Sequence, residues 1–387
     1  MSKITVGFFS SANYFSRNTF SGTLFYMYQA LKKHNNIEVV PLGSPHEEKV
    51  TPVSKALQIL KWKWAARFPK TTDVEKERFF KLVDQQLQST TCDLIFAPVC
   101  NFHLATWESP SRNLPIIYLT DATPSLLKQY YGNYSDPKEY EVAAMEEKLT
   151  FQKSRISVFS SQWVAQSAVN EFQAPPDCVK VIPFGANLDY IPPAEMTLTK
   201  LGKQPWQLLF IGKSWSRKGG NIAYETFLKL ISLGINVKLT MIGSVPPENL
   251  PPHPQLKIIP FLDKNNPEEQ QQLVQRLLAS HLLLFPSQAD CSPIALCEAA
   301  AYGIPVLATD VGGIPEIIHS GKNGFMLPVK APSQAYADKI KALFSDPERY
   351  KNLVINARQE YDSRLNWSAW AEKMYNVFQE ALAVTDS

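Results

Sequence analysis

Two carboxylates eight positions apart invite a chemical reading. Asp290 lies in a polar loop, Gln288 to Ser292, and Glu298 lies inside a helix-like segment, Pro293 to Tyr302. The neighbours of Glu298 are Ile294, Ala295, Leu296, Ala299 and Ala300, so its charge stands on an otherwise apolar, small-residue face. Burying such a charge without a partner is costly. Either Glu298 is a solvated surface acid, or it has something to hold. A cationic candidate lies upstream, in Gly212-Lys213-Ser214-Trp215-Ser216-Arg217-Lys218-Gly219-Gly220. Glycine lets a backbone come close to a ligand, and lysine supplies a compact charge suited to phosphate oxygens. The P-loop pattern is not met, and taken alone the segment also reads as an exposed basic turn. Asp121 follows a fully apolar strand and is either a site carboxylate or the N-cap of the next helix. His103 is a lone histidine, for which a structural role is the commoner one.

These residues need elements to carry them. The stretch Leu282 to Ile318 reads as strand, loop, helix, strand, Gly312-Gly313 turn and a further helix. Such units build parallel sheets with helices on both faces. The same alternation begins at the N-terminus. Lys3 to Ser10 is an apolar strand, Ser11 to Ser21 a polar loop closed by Gly22, and Thr23 to Lys33 a helix. A strand, a Gly-containing loop and a helix start together present backbone N–H groups to an anion. No G-x-G-x-x-G fingerprint accompanies them. Further strands are expected over Ile37 to Leu42, Asp93 to Pro98, Pro115 to Thr120, Arg155 to Phe159 and Val179 to Phe184, with a helix over Asp73 to Ser89. Ile191 to Gln204, with two prolines, a glycine and no periodicity, reads as a linker. The pattern then restarts with strands at Trp206 to Ile211, Val237 to Ile242 and Lys257 to Phe261 and helices at Gly219 to Leu233 and Pro267 to Ser280. Two βαβ series of domain size imply an α/β protein of two doubly wound domains facing across a cleft, with ligands outside the carboxyl ends of the strands.

Length and composition agree. The chain has 387 residues, 45% hydrophobic and 19% charged, an ordinary globular balance with room for two domains. A net charge of +3 is too small to argue for nucleic acid. Five irregularly spaced cysteines outline neither a disulfide nor a zinc framework. The opening residues enter a strand directly, unlike a signal peptide, and no apolar run approaches the roughly 20 residues that cross a bilayer. The expectation is a cytoplasmic protein. Lys55 to Lys70 carries Lys55, Lys61, Lys63, Arg67 and Lys70 with Trp62, Trp64 and Phe68 and no acid. It suits peripheral contact with an anionic membrane face, or else it is a solvated helix whose aromatics pack inward.

Taken together, these segments resemble the retaining glycosyltransferases of family 4, which have the GT-B fold. Six stretches carry the resemblance. Gly212-Lys213 with Arg217-Lys218-Gly219 is similar to the family's basic pair, with Lys213 in the place of the usual arginine. Asp290 to Glu298 resembles its E-x7-E motif with aspartate first. Gly303-Ile304-Pro305-Val306 and Gly312-Gly313-Ile314-Pro315-Glu316 resemble the segments that follow it. In the first half, Ser21-Gly22-Thr23 stands where the family has its glycine loop, and Val181 to Asn187 resembles the stretch before the linker.

The resemblance implies a GT-B fold with an acceptor-binding Rossmann-like domain over residues 1–190 and a nucleotide-sugar domain over 191–365. It also implies a final helix, 366–387, crossing back to the first domain. The implied activity is retaining, metal-independent transfer of a hexosyl unit from a nucleoside-diphosphate sugar to an acceptor hydroxyl. The acceptor would be a sugar, a lipid or a small molecule, with no separate cofactor. Lys213, Lys218, Asp290 and Asp121 would act at the reacting centre, Asp121 standing where the family often has histidine. Gly22, Gly212, Arg217, Ser292, Ile294, Ala295 and Glu298 would bind the donor, Glu298 at the ribose and the N–H groups of Ser292, Ile294 and Ala295 at the diphosphate. Pro293 has no N–H to offer. No Asp-x-Asp metal motif is visible. The alternative is a protein of the same fold that binds nucleotide sugar without catalysis and serves as a regulatory partner.

Overall fold

A computed structural model describes residues 3–17, 19–43, 73–108, 114–248 and 250–383. Lys55 to Lys70, the basic aromatic segment, lies outside the described residues. In chain order the first half runs β1 (Ile4–Phe9), α1 (Thr23–Lys33), β2 (Ile37–Leu42), α2 (Asp73–Ser89), β3 (Leu94–Pro98), α3 (Asn101–Thr106), β4 (Ile116–Thr120), α4 (Pro124–Tyr131), α5 (Pro137–Lys153), β5 (Ile156–Phe159), α6 (Gln162–Phe172) and β6 (Val179–Val181). The second half runs β7 (Trp206–Ile211), α7 (Gly220–Ser232), β8 (Val237–Ile242), β9 (Leu256–Ile259), α8 (Pro267–Ala279), β10 (Leu282–Phe285), α9 (Ile294–Ala301), β11 (Val306–Thr309), α10 (Ile314–Ile317), β12 (Gly324–Leu327), α11 (Ser333–Phe344), α12 (Pro347–Ser363) and α13 (Trp367–Ala383).

Among the described residues the strands form two six-stranded sheets, ordered β2-β1-β3-β4-β5-β6 and β12-β11-β10-β7-β8-β9. This is the expected α/β architecture of two doubly wound sheets. In the second sheet β7 pairs in parallel with both β8 and β10, Leu208 facing Leu239 on one side and Leu282 on the other. The strand order therefore reverses between β7 and β10. The connections that leave the carboxyl ends of these two strands run to opposite faces and open a crevice between them. Those connections are Gly212–Gly219 and Pro286–Ser292, the two segments singled out by their chemistry.

By compactness the chain divides into one unit of Met1–Leu119, Ala143–Ser157 and Tyr375–Ser387, and a second of Thr120–Val142 and Val158–Met374. In the first, Phe8 packs edge-on against Tyr28 and Phe96, with ring centroids 5.4 and 5.6 Å away. The end of α13 joins this unit, Phe378 lying 5.8 Å from Phe96. In the second, the sheet is sandwiched by two apolar clusters. One gathers Leu283, Phe285, Leu296, Ile304 and Ile314, the other Phe210, Phe227, Leu239, Leu284 and Leu353. All four residues of β10 are buried, which is why it reads as an unbroken apolar run instead of an alternating one. Ile191 to Gln204 lies within the second unit, where the buried Lys200 ammonium donates to the Tyr302 carbonyl at 2.9 Å.

Prolines trim several expected strands. β6 stops at Val181 and not at Phe184, because Pro183 has no N–H for the ladder. β9 stops at Ile259 before Pro260, and β11 begins at Val306, after Pro305. The helix expected after Gly312-Gly313 is a single turn, Ile314–Ile317.

Candidate active site

The crevice of the second sheet is floored by β7 and β10 and walled by their two connections. The first is tightly wound. Lys218 N–H donates to the Ser214 carbonyl at 2.9 Å and Gly220 N–H to the Trp215 carbonyl at 2.8 Å. Gly212 is needed where it stands, since a Cβ there would sit 2.6 Å from the Lys218 side chain. The missing side chain lets the lysine stem lie back over the strand end. Gly219 has φ +74° and would carry a Cβ 2.0 Å from the Pro286 carbonyl, so it meets both a conformational and a steric demand.

The second connection is sewn to the first. Gln288 N–H donates to the Arg217 carbonyl at 2.7 Å, and Arg217 Nη1 donates to the Ala289 carbonyl at 2.8 Å. The Lys218 ammonium pairs with Asp290 Oδ2 while lying 4.8 Å from the Phe285 ring centroid. Burial lowers the proton affinity of this lysine, and the Asp290 charge works against that loss. On its far side the loop rests on Gly312 and Gly313. Gly313 N–H donates to the Asp290 carbonyl at 3.0 Å, and a Cβ on Gly313 would lie 1.8 Å from the Cys291 carbonyl.

Residues from α4 and the end of β5 complete the loop's surroundings. Cys291 N–H donates to the Tyr131 hydroxyl at 3.1 Å, and the Arg217 guanidinium lies 4.9 Å from the Tyr131 ring centroid. Ser292 and Ser160 share a hydrogen bond of 2.5 Å. Asp121 is close enough to feel Asp290. Desolvation raises its carboxyl to about 7, and the Asp290 charge pushes the same way. The Cys291 thiol is raised mainly by burial and then by Asp121, which makes it inert. The helix-cap alternative for Asp121 is not realised, because Thr123 caps α4, its hydroxyl accepting from Leu126 N–H at 3.5 Å.

No side chain caps the first turn of α9, which follows Pro293. Its leading N–H groups, Ile294 and Ala295 among them, have no partner within the helix and carry the positive end of the helix dipole. One turn further on, Glu298 is buried, with a side-chain exposure of 5%. Its Oε1 pairs with Lys264, whose ammonium also donates to the Asn187 carbonyl at 3.1 Å.

The structure thus joins Lys218 to Asp290, Arg217 to the Asp290 loop, and Ser292 to Ser160. Lys213 is exposed, its ammonium 5.9 Å from the Phe261 ring centroid. Gly22 belongs to the first unit, where it takes φ +85° and opens α1. His103 is buried among Phe79, Phe80 and Phe102, and burial lowers its pKa to about 4, so it is structural. Two site residues were not singled out from sequence. Lys264 follows the carboxyl end of β9, a position that could have flagged it. Tyr131 sits mid-chain on an unremarkable helix and carried no signal.

With this geometry in place, relatives can be compared. The sequence model of the family described as glycosyl transferases group 1 matches residues 194–360. D-inositol 3-phosphate glycosyltransferase of Corynebacterium glutamicum is 24% identical over 288 residues, 70% of this chain and 68% of that protein. Sucrose-phosphate synthase of Thermosynechococcus elongatus has the same fold, at TM-score 0.70 and 15% identity over 99% of this chain and 100% of the other. Anabaena HepE in complex with UDP follows at TM-score 0.64 and 17% identity, over 98% and 100%. Another HepE structure, with UDP-glucose, gives 0.62 and 16%, over 97% and 100%. The fold of the chain is thus that of the GT-B glycosyltransferases. The residues matched by the family model, 194–360, include both Lys218 and Glu298.

Proposed function

We propose that the protein transfers a hexosyl unit from a nucleoside-diphosphate sugar to an acceptor hydroxyl, with retention at the anomeric carbon and without a metal ion. The observation that carries this reading is the convergence, at one strand-order reversal, of a cationic loop, an uncapped helix start and a buried carboxylate. Cleavage of the anomeric C–O bond develops negative charge on the leaving diphosphate. Lys218, Lys213 and the first N–H groups of α9 are the groups assigned to that charge, each contributing on the order of 3 kcal/mol if they act as oxyanion donors do. An incoming diphosphate would share Lys218 with Asp290, leaving that carboxylate beside the sugar. Asp121, held near 7 by burial, is assigned to the same sugar. Glu298 is assigned to the ribose hydroxyls, and Gly212, Arg217 and Ser292 to shaping the donor site.

Front-face attack is the assigned course, the one that the resemblance to the retaining family implies. The UDP and UDP-glucose held by HepE support a nucleotide-sugar donor, uridine first among the candidates. No cofactor beyond the donor is invoked. The acceptor is a sugar, lipid or small molecule. Cytoplasmic residence, with Lys55 to Lys70 touching the inner face of a membrane, belongs to the same proposal. Among the described residues no helix is long and apolar enough to cross a membrane. Flotation with anionic liposomes at low and high salt tests that contact.

A second reading has one observation in its favour. Lys218 is already neutralised by Asp290, as suits a protein that binds nucleotide sugar without turning it over. A screen of UDP-, GDP- and ADP-sugars with a mixed acceptor pool separates the two. Release of nucleoside diphosphate, undiminished by EDTA, with an α-configured product from an α-configured donor supports transfer. A raised melting temperature with no turnover supports the regulatory reading.

A further inference from the structure

The two oxygens of Glu298 differ. Oε1 is held by Lys264, while Oε2 has no protein donor among the described residues. The side chain of Glu298 is 5% exposed, and its helix neighbours Leu296, Cys297, Ala299 and Ala300 are all buried. Among the described residues Lys264 is the cation in contact with it.

The lysine is itself held in position. Its ammonium has a second acceptor, the Asn187 carbonyl at 3.1 Å, and the Asn187 side chain is anchored by Trp367 Nε1 at 3.0 Å. The turn that presents it is equally constrained. Asn265 N–H donates to Asp263 Oδ1 at 2.9 Å, Asp263 N–H to Glu269 Oε2 at 2.6 Å, and Asn266 caps α8 by accepting from Glu268 N–H at 3.0 Å. Lys264 is thus fixed from both sides, with 30% of its side chain exposed.

We infer that Lys264 is a positioning residue for nucleoside recognition: by holding Oε1 it fixes the Glu298 carboxylate and leaves Oε2 for a vicinal diol, the ribose 2′- and 3′-hydroxyls of the donor. This rests on the nucleotide-sugar reading above and adds to it the residue that sets ribose selectivity. Hydrogen bonds from hydroxyls to a carboxylate are about twice as strong as neutral ones, so a carboxylate held in place can tell a ribose from a deoxyribose.

The test measures Kd by calorimetry for UDP against 2′-deoxy-UDP, with the GDP and ADP pairs in parallel, on the wild type, Lys264→Met and Lys264→Arg. The wild type is expected to prefer the ribonucleotide by about ten-fold, as for one charge-assisted hydrogen bond. Lys264→Met should reduce the preference below about two-fold, and Lys264→Arg should restore most of it. Lys264→Gln, which can still donate to the Asn187 carbonyl, replaces the Met variant if that one does not fold. A full preference kept in Lys264→Met or Lys264→Gln overturns the inference. So does a wild type that binds both sugars of a pair equally, while the diphosphate reading stands. A wild type that binds none of the three diphosphates removes the proposed function and the inference together.

Discussion

The Lys218 ammonium and the Asp290 carboxylate form an ion pair in which the two side chains are 12% and 9% exposed. They belong to different loops, each leaving one of the two neighbouring strands at the strand-order reversal. The charge expected to meet the donor phosphate is therefore also a clasp between the walls of the site. Removing one partner from such a pair leaves the other uncompensated. Lys218→Ala is predicted to abolish transfer and also to cost about 3–5 kcal/mol of stability. The double variant Lys218→Met, Asp290→Asn should recover much of that stability and remain inactive. Denaturant melts beside initial rates check this, and a fully stable Lys218→Ala would show that the clasp is not structural.

Tyr131 braces the same loop from α4, through Cys291 N–H and the Arg217 guanidinium. Tyr131→Phe keeps the ring under Arg217 and removes the hydroxyl. It should cost about 1 kcal/mol of stability. It should also raise the donor KM several-fold, because the backbone on either side of Cys291 loses its anchor. Parallel kinetics and thermal melts read both effects.

Gly313 tests the close approach of the Gly-Gly turn. Its φ of −87° suits any residue, but a Cβ would meet the Cys291 carbonyl at 1.8 Å. Gly313→Ala is predicted to lose about 1–3 kcal/mol, as overpacked sites do, and to weaken donor binding. Gly321→Ala is the control for backbone conformation alone. Gly321 has φ +87° and nothing within 4 Å of its Cβ position, so it should lower stability without changing the donor KM.

A pH effect is expected from the first unit. Glu147 is buried there, accepting from Asn101 Nδ2 at 2.6 Å and from the Tyr118 hydroxyl at 3.3 Å, and desolvation raises its pKa to about 8. In the unfolded chain it titrates near 4.3. Between these values the folded protein keeps a proton that the unfolded chain releases. Its contribution is therefore fully present below about 4.3 and is lost as pH rises to about 8. Glu147→Gln should flatten that decline, matching the wild type at low pH and exceeding it above pH 8. Chemical denaturation across the range measures it.

Much of this was legible in the sequence. The bounds of α1, β2, α2, β7 and β8 coincide with those expected, because apolar runs and helical periodicity are local signals. Strands flanked by proline were drawn too long, since the ladder depends on an N–H that the apolar pattern does not report. The chemistry of the site divides similarly. Lys218, Asp290 and Glu298 stand out by residue type and spacing. Their partners could not be read, because the pairing of Glu298 with Lys264 and of Cys291 with Tyr131 joins segments 34 and 160 residues apart. Which cation neutralises which acid is decided by the order of strands in the sheet.

The most direct test of the account is a crystal structure with a bound nucleoside-diphosphate sugar, chosen as the best ligand of the donor screen. A diphosphate oxygen is expected within about 3 Å of Lys218 Nζ, with the ribose diol on Glu298 Oε2 and the sugar between Asp290 and Asp121. A donor bound elsewhere, or one in the crevice with its ribose away from Glu298 and its phosphates away from Lys218, would contradict it.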